Sequence, residues 1–289
     1  MMQIGLIYPQ TEYGMDLIAI RDYAQTAEGL GFSHIVAYDH VLGANPERPG
    51  WQGPYTYHSP FMEPFMLFAY MASLTSKLSF FTGILILPQR QTALVAKQAA
   101  TLDILCAGRL RLGVGVGWNE VEYIGLNEDF HTRGQRIEEQ VSLLRQLWTQ
   151  DLVTFTGRWH NIPDAGINPL PIQRPIPIWF GGHSERVLRR TAQMGDGWVP
   201  SSSSYADCRP ALDRLKYYLE KSGRDPSTFG LEGRLSFGHG NASLISREAA
   251  EWNAAGATHL SLNTMNLGFK TPNEHIAAIK EFAHVMGLS

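Results

Sequence analysis

The chain has 289 residues, of which 44% are hydrophobic and 18% charged, a balance that can bury a core and excludes a disordered chain. Lysine and arginine together number 24 against 27 aspartates and glutamates, so there is no basic excess to bind a nucleic-acid backbone. The most apolar stretch, residues 78–88, is far shorter than the roughly 20 residues of a membrane-spanning helix, and no secretory signal precedes it, so we expect a cytoplasmic protein.

Short apolar runs alternate with amphipathic stretches along the whole chain. Strands are predicted at residues 3–8, 33–38, 78–87, 109–114, 177–180, 197–200, 230–237 and 259–262. Helices are predicted at residues 16–30, 63–75, 92–106, 134–148, 184–193, 206–221, 247–255 and 271–286. The last helix has the clearest start, because Thr271, Pro272 and Glu274 combine a cap, a proline in the first turn and a capping box.

Eight alternating strand–helix units predict a parallel sheet, and this number in this length favours a closed (β/α)8 TIM barrel that occupies residues 1–289 as a single domain. A doubly wound sheet is the alternative. It is disfavoured because no Gly-x-Gly-x-x-Gly turn follows the first strand.

Three connections are long, at residues 41–60, 115–133 and 151–176. The first two follow strands, so we expect them as loop insertions at the C-terminal face of the barrel, where function concentrates. The third follows a helix and is expected to be a hairpin on the opposite side that bends back.

The fifth predicted strand ends in Gly181-Gly182-His183-Ser184 and runs directly into a helix. Glycines allow close approach of a ligand, while the helix start offers free N–H groups and a positive dipole end. The segment therefore suits a phosphate or a carboxylate, and the alternative is a tight turn without a ligand.

His40 follows Asp39 at the end of the second predicted strand. A histidine there can move a proton or bond to a ligand oxygen, or it can be purely structural. A metal site is a further alternative, since a barrel can gather Asp39, His40, His58, His183 and His239. None of these pairs has a recognised ligand spacing, and neither do Cys106 and Cys208, which are expected to be reduced thiols. We predict no metal, and keep a metal-dependent barrel hydrolase as an alternative function.

Glycines and tryptophans mark two other strand ends. Gly83 lies inside an apolar strand, which indicates a bulge or the close approach of a ligand. Gly115 and Gly117 lack the spacing of a dinucleotide fingerprint. Trp118, beside them, can pack in the core or stack on a planar ring.

The sequence resembles the bacterial luciferase-like oxidoreductases, a superfamily that uses FMN or the deazaflavin coenzyme F420. The resemblance covers nearly the whole chain and rests on the order and spacing of short motifs. They are YDHVLG (38–43), TGILILP (82–88), AKQ (96–98), TLD (101–103), GRL (108–110), LGVGVGW (112–118), PIWFGG (177–182) and DGW (196–198). The first motif is most similar to the deazaflavin-dependent branch.

The resemblance implies a flavin ring over the C-terminal mouth, with a cis peptide bond at Gly83–Ile84 behind it. His40 would face the ring and assist hydride transfer. The implied cofactor-binding residues are Asp39, His40, Gly83, Ile84, Trp118, Asn119, Gly181, Gly182, His183 and Ser184. The phosphate would lie on the last four. Trp198 and Trp51 are expected on the substrate side, the latter in an aromatic loop with Tyr55, Tyr57 and Phe61.

One departure concerns the substrate. Deazaflavin-dependent sugar-phosphate dehydrogenases carry a catalytic glutamate where Trp118 aligns, so that activity is not expected here, although Glu120 and Glu122 lie near. The resemblance leaves two cofactors: coenzyme F420 for hydride transfer to or from a small organic substrate, or FMNH2 with O2 for monooxygenation. The second would require a separate flavin reductase. Homodimers are common in the superfamily.

Overall fold

The structure, a computed structural model, describes residues 1–238 and 241–288. Its strands are β1 (Gln3–Ile7), β2 (His34–Ala37), β3 (Ser79–Thr82), β4 (Leu85–Ile86), β5 (Leu110–Gly115), β6 (Val153–Thr156), β7 (Asn161–Ala165), β8 (Ile178–Gly181), β9 (Gly197–Val199), β10 (Gly230–Ser236) and β11 (His259–Asn263). Its helices are α1 (Leu17–Gly29), α2 (Pro64–Ala72), α3 (Thr92–Leu105), α4 (Glu120–Gly125), α5 (Arg133–Thr149), α6 (Glu185–Met194), α7 (Tyr205–Lys221), α8 (Ala242–Ala254) and α9 (Pro272–Met286).

The strands close into the predicted parallel barrel. Its order is β1, β2, β3 with β4, β5, β8, β9, β10 and β11, and β11 pairs back onto β1. The third barrel strand is interrupted between β3 and β4, where the Gly83–Ile84 peptide bond is cis, as the resemblance implied. All eight predicted strands are confirmed, and the barrel fold with them.

The structure differs from the prediction at two helices, and it shows the form of the third long connection. Helix α8 begins at Ala242 instead of residue 247, because the Asn241 side chain accepts a hydrogen bond from the N–H of Leu244 and caps an earlier start. Helix α4, inside the second long connection, was not predicted. The hairpin expected in residues 151–176 is present as β6 and β7. It returns along the helices, since the imidazole of His160 lies 2.7 Å from the hydroxyl of Thr92.

The barrel interior is layered. Near the N-terminal ends of the strands, Glu232 is buried with His34 and Arg111, at 2.9 and 3.1 Å from its two oxygens. Above it lies an apolar layer of Ile7, Val36, Phe81, Trp179, Val199 and Met265. The opposite strand faces pack against the helices in a separate, larger core. With its lower two layers filled, the interior leaves room for a ligand at the C-terminal mouth.

No helix in the described ranges is long and apolar enough to cross a membrane.

Candidate active site

A cleft of about 440 Å³ opens at the C-terminal mouth of the barrel. It is bordered by the interruption of the third strand and by the ends of β5, β8 and β9. Seven of the residues predicted from the sequence line it: Gly83, Ile84, Trp118, Gly181, Gly182, His183 and Ser184. The other five predicted residues lie around the cleft without lining it: Asp39, His40, Trp51, Asn119 and Trp198. A second cavity, of about 740 Å³, opens beside the cleft between α6 and α7 and shares His183, Pro200 and Ser201 with it.

The floor of the cleft is smooth and apolar because Ile84 packs directly between two glycines. A Cβ atom on Gly115 would lie 2.5 Å from the Ile84 side chain, and one on Gly181 would lie 2.6 Å from it. These distances leave no room for any side chain at either position. The strand ends therefore present backbone and one aliphatic side chain, a surface that suits a flat ring.

One end of the cleft is an anion cradle at the start of α6. Ser184 is the N-cap residue of this helix, yet its hydroxyl forms no capping hydrogen bond. Within the described residues, the N–H groups of His183 and Ser184 have no backbone acceptor outside the helix. Gly182 has φ of 115°, which lets the chain turn into the helix. Free N–H groups, a hydroxyl and the positive end of the helix dipole together suit a phosphate.

Trp198 supports this cradle from the side of the helix layer. It points out of the barrel toward the helix layer, is fully buried, and its Nε1–H donates a 2.6 Å hydrogen bond to the carbonyl oxygen of Gly182. The imidazole of His183 is exposed and lies 3.0 Å from the hydroxyl of Ser201. Both contacts fix the loop between β8 and α6.

His40 forms a pair with Glu122, a residue of α4. The carboxylate of Glu122 is fully buried, 3.3 Å from Nδ1 of His40, and accepts hydrogen bonds from the N–H groups of Val41 and Leu42 at 2.8 and 3.2 Å. Burial raises the pKa of Glu122, but the hydrogen bond and charge of His40 and the two backbone donors outweigh it, so the pKa is lowered overall. A carboxylate that stays ionised at neutral pH can hold the proton of His40 on Nδ1.

Asn119 prepares the position of this pair. It is buried, its Oδ1 caps α4 by accepting from the N–H of Val121 at 3.1 Å, and its Nδ2 donates to the carbonyl of Leu42 at 3.3 Å. The short helix that carries Glu122 is thereby tied to the loop that carries His40.

Aromatic side chains of the two long loops cover His40. Its ring centroid lies 5.0 Å from Tyr55, 4.8 Å from Phe61 and 5.9 Å from Trp118. Trp51 packs on Trp118 at 5.6 Å, and its buried Nε1–H has no hydrogen-bond partner in the described part of the chain. Because Trp118 also lines the cleft, this aromatic cover connects His40 to it.

The carboxylate of Asp39 forms hydrogen bonds within the protein. One oxygen accepts from the N–H of Ile86 at 3.0 Å, and the other receives Arg90 at 2.8 Å. These bonds anchor β4 immediately after the interrupted strand.

Arg234 is a site residue that the sequence did not reveal. It lines the cleft from β10, donates a 3.3 Å hydrogen bond to the carbonyl oxygen of Gly83, and forms no ion pair with any described carboxylate. The alternation of side chains along a strand could have revealed it. Arg234 and Glu232 are two residues apart in β10, so both side chains point into the barrel.

The described ranges contain no cluster of three or more His, Cys, Asp or Glu that could hold a metal ion. His239, one of the metal candidates from the sequence, lies outside them.

The sequence profile of the luciferase-like monooxygenases matches residues 2–284. An uncharacterized protein of Mycobacterium tuberculosis is 36% identical over 210 residues, 70% of this chain and 71% of its own length. An F420-dependent hydroxymycolic acid dehydrogenase of the same species is 29% identical over 252 residues, 86% of this chain and 66% of its own. A pyrimidine monooxygenase of Allorhizobium ampelinum is 31% identical over 189 residues, 62% of this chain and 51% of its own.

Among solved structures, an F420-dependent secondary alcohol dehydrogenase in complex with an F420–acetone adduct superposes with a TM-score of 0.79. The match covers 99% of this chain and 98% of that one at 18% identity, a likeness of fold.

Proposed function

Because the chain belongs to the luciferase-like monooxygenase family and is an oxidoreductase, we propose that it transfers hydride between coenzyme F420 and a small organic substrate. One observation carries this proposal: an apolar, glycine-lined cleft ends on the free N-terminus of α6 and is joined through Trp118 to the His40–Glu122 pair. Together they provide a floor for a planar ring, a site for its phosphate and a group that moves protons.

The residues present fit a deazaflavin. Ile84 and the glycines beside it would support the ring, Ser184 and the first N–H groups of α6 would hold the phosphate, and Arg234 would supply positive charge at the cleft floor. When bound, the coenzyme supplies a carbon that accepts or donates hydride. The protein would contribute position and charge.

His40 is proposed to handle the proton that accompanies hydride. Since Nδ1 faces the carboxylate of Glu122, the proton of a neutral imidazole resides there and Nε2 carries a lone pair. Nε2 would then accept the hydroxyl proton as an alcohol is oxidised, and return it in the reverse direction. Glu122 acts as a positioning residue, through the tautomer and the charge of His40.

The aromatic cover indicates the kind of substrate. Tyr55, Phe61, Trp118 and Trp51 surround His40, so an apolar alcohol or carbonyl compound fits better than a sugar phosphate.

A second candidate is an FMNH2- and O2-dependent monooxygenase supplied by a separate flavin reductase. The 31% identity to a pyrimidine monooxygenase favours keeping it. The same cradle accepts the phosphate of FMN, so the cofactor distinguishes the two reactions.

A binding titration tests the proposal. Purified protein is titrated with F420 and with FMN, and fluorescence is followed. We expect tighter binding of F420, followed by a change in its absorbance when secondary alcohols are added. Preferential binding of FMN, with O2 consumption once reduced, would instead support the monooxygenase. Binding of neither would reject both reactions.

A further inference from the structure

A pocket of about 510 Å³ lies beside the cleft, between the first long connection (residues 41–60) and α4. We call it the outer pocket. It is lined by residues 48–54, by Trp118 and by side chains of α4 that include Glu120 and Ile124. Trp118 also lines the cleft, so its indole ring separates the two spaces. The hydride and proton steps described above do not use this pocket.

The wall between the cleft and the outer pocket is a pair of packed indole rings. Trp118 faces His40 on the side of the cleft, with 5.9 Å between the ring centroids. Trp51 packs against Trp118 from the outer pocket, at 5.6 Å. Gly53 lies against both indoles, because a Cβ atom at this position would overlap each of them. A ligand that displaced this pair would therefore occupy both spaces.

The indole pair is held less firmly than the other tryptophans of the described structure to which it can be compared. Trp148, Trp198 and Trp252 are fully buried, and each donates its Nε1–H to a backbone carbonyl, at 3.0, 2.6 and 3.1 Å. The Nε1–H of Trp51 is buried without an acceptor among the described residues, a cost that a shift of the ring toward water would remove. Trp118 is 42% exposed, so its ring can turn without opening the core.

The lining of the outer pocket suits an uncharged, apolar group. Ile124 is 64% exposed, and Leu42, which lies against the next residue of α4, is 42% exposed. Apolar side chains that are exposed together beside a pocket indicate a ligand site. Arg48 and Glu120, the charged side chains of the described lining, have opposite signs. A charged ligand would therefore gain little there, whereas an apolar one would remove the indoles and Ile124 from water.

We propose that the outer pocket binds the far end of an elongated, uncharged substrate whose alcohol or carbonyl group lies beside His40. This inference rests on the proposed function and names its substrate class: alcohols or ketones with a long aliphatic or aromatic tail. The reacting carbon stays in the cleft, and the tail passes the displaced ring of Trp118. The second cavity, between α6 and α7, adjoins the anion cradle at His183 and so lies on the side of the cofactor phosphate.

The test measures kcat/KM for secondary alcohols of four to ten carbons, with the cofactor that the binding titration identifies. Each methylene that leaves water contributes up to about fourfold, so we expect kcat/KM to rise at least about tenfold between the six- and ten-carbon alcohols. Ile124→Trp and Gln52→Trp fill the outer pocket from two different walls. In both variants the rise should shrink to about twofold or less, while the four-carbon alcohol reacts as in the wild-type protein.

Pro210→Trp is the matched control, because Pro210 is exposed and lines the second cavity instead of the outer pocket. It should keep the wild-type rise. Calorimetric titration of the purified proteins with the ten-carbon alcohol adds a readout that does not depend on turnover. Ile124→Trp and Gln52→Trp should bind this alcohol at least about tenfold more weakly than the wild-type protein and Pro210→Trp do.

A flat chain-length profile in the wild-type protein, an equal rise in all four proteins, or a rise lost only in Pro210→Trp would overturn the outer pocket. Each of these results would leave the proposed hydride transfer intact. Binding that the two filling variants weaken, without turnover of any alcohol, would instead support the pocket and overturn the proposed reaction.

Discussion

At the scale of single residues, the feature that gives the site its chemistry is the contact between His40 and Glu122. In a neutral histidine, a hydrogen-bond partner determines which ring nitrogen carries the proton and which one can accept a proton. Here a fully buried carboxylate does so, and two backbone N–H groups hold that carboxylate in place. The charge of Glu122 should therefore affect catalysis while leaving cofactor binding alone.

Glu122→Gln tests this directly. The amide oxygen can still accept from Val41 and Leu42, but the negative charge facing His40 is lost. We expect the rate of hydride transfer with a secondary alcohol to fall about a hundredfold, the lower end of what a positioned base contributes, with an altered pH profile. The cofactor Kd should stay within about twofold of the wild-type value.

Glu120→Gln is the control, since Glu120 is exposed on the same short helix. Nitrogen NMR of the imidazole provides a readout independent of turnover: His40 should carry its proton on Nδ1 in the wild-type protein and lose that preference in Glu122→Gln. An unchanged tautomer and an unchanged pH profile would mean that Glu122 only supports the loop.

The same contact shows what sequence reasoning can and cannot find at this scale. The segment 181–184 was identified because its glycines, serine and helix start are contiguous. Glu122 was noticed only as an acid near Trp118, because its meeting with His40 joins residues 82 positions apart through an unpredicted helix. Arg234 was missed since an arginine in a strand is normally read as solvent-facing.

At the scale of elements, the N-terminus of α6 decides whether the cleft holds an anion. An N-cap serine normally bonds to its own helix, and Ser204 does so at the start of α7. Ser184 leaves its hydroxyl and the first N–H groups of α6 uncommitted. The two helix starts are therefore a natural pair for comparison.

Ser184→Asp should separate folding from binding. Aspartate is as good an N-cap as serine and interacts favourably with the helix dipole, so the free energy of unfolding should stay unchanged or rise by about 0.3–1 kcal/mol. Its carboxylate would occupy the cradle and repel a phosphate, and we expect the affinity for F420 or FMN to fall at least about tenfold.

Ser204→Asp should show the same small change in stability with no loss of cofactor affinity. Thermal unfolding and fluorescence titration measure the two quantities. Retained affinity in Ser184→Asp would mean that the phosphate lies elsewhere.

Most of the elements themselves could be predicted, because a parallel barrel strand is buried on both faces and appears as a continuous apolar run. The exceptions have local causes. Helix α4 has only one turn and a half of sequence, too short for a periodic pattern, and its start depends on the cap of Asn119. Helix α8 starts early because of the cap of Asn241.

At the scale of the whole molecule, the barrel interior couples stability to pH. The lower layer joins strands from around the barrel: His34 of β2, Arg111 of β5, Glu232 of β10 and His259 of β11. Arg111 also lies over the rings of Phe81 and Trp179, at 4.3 and 4.5 Å. Losing charge balance here would affect strands around the barrel together.

The pKa values in this layer shift in one direction. Burial lowers the pKa of His259 from 6.5 to about 3, helped by the charge of Arg111. Burial likewise lowers the pKa of His34, against the pull of Glu232. Burial alone would raise the pKa of Glu232, but the charges of His34 and Arg111 outweigh it and lower it well below the usual range. In each case the unfolded chain binds the proton more tightly.

The contribution of His259 to the free energy of unfolding should therefore be fully present at neutral pH. It should decrease as the pH drops below about 6.5, because the unfolded His259 takes up a proton that the folded one excludes. At 1.4 kcal/mol per pH unit, this histidine alone should reduce the free energy of unfolding by about 2 kcal/mol between pH 6.5 and 5. Glu232 adds to the loss below about pH 4.5.

Denaturant unfolding from pH 8 to 5 measures the loss of stability due to His259. His259→Gln should be less stable at pH 8, because packing on Trp179 is lost, but flatter by that amount across the range. The exposed His58→Gln should keep the wild-type slope, and an equal slope in all three proteins would place the acid sensitivity outside the barrel interior.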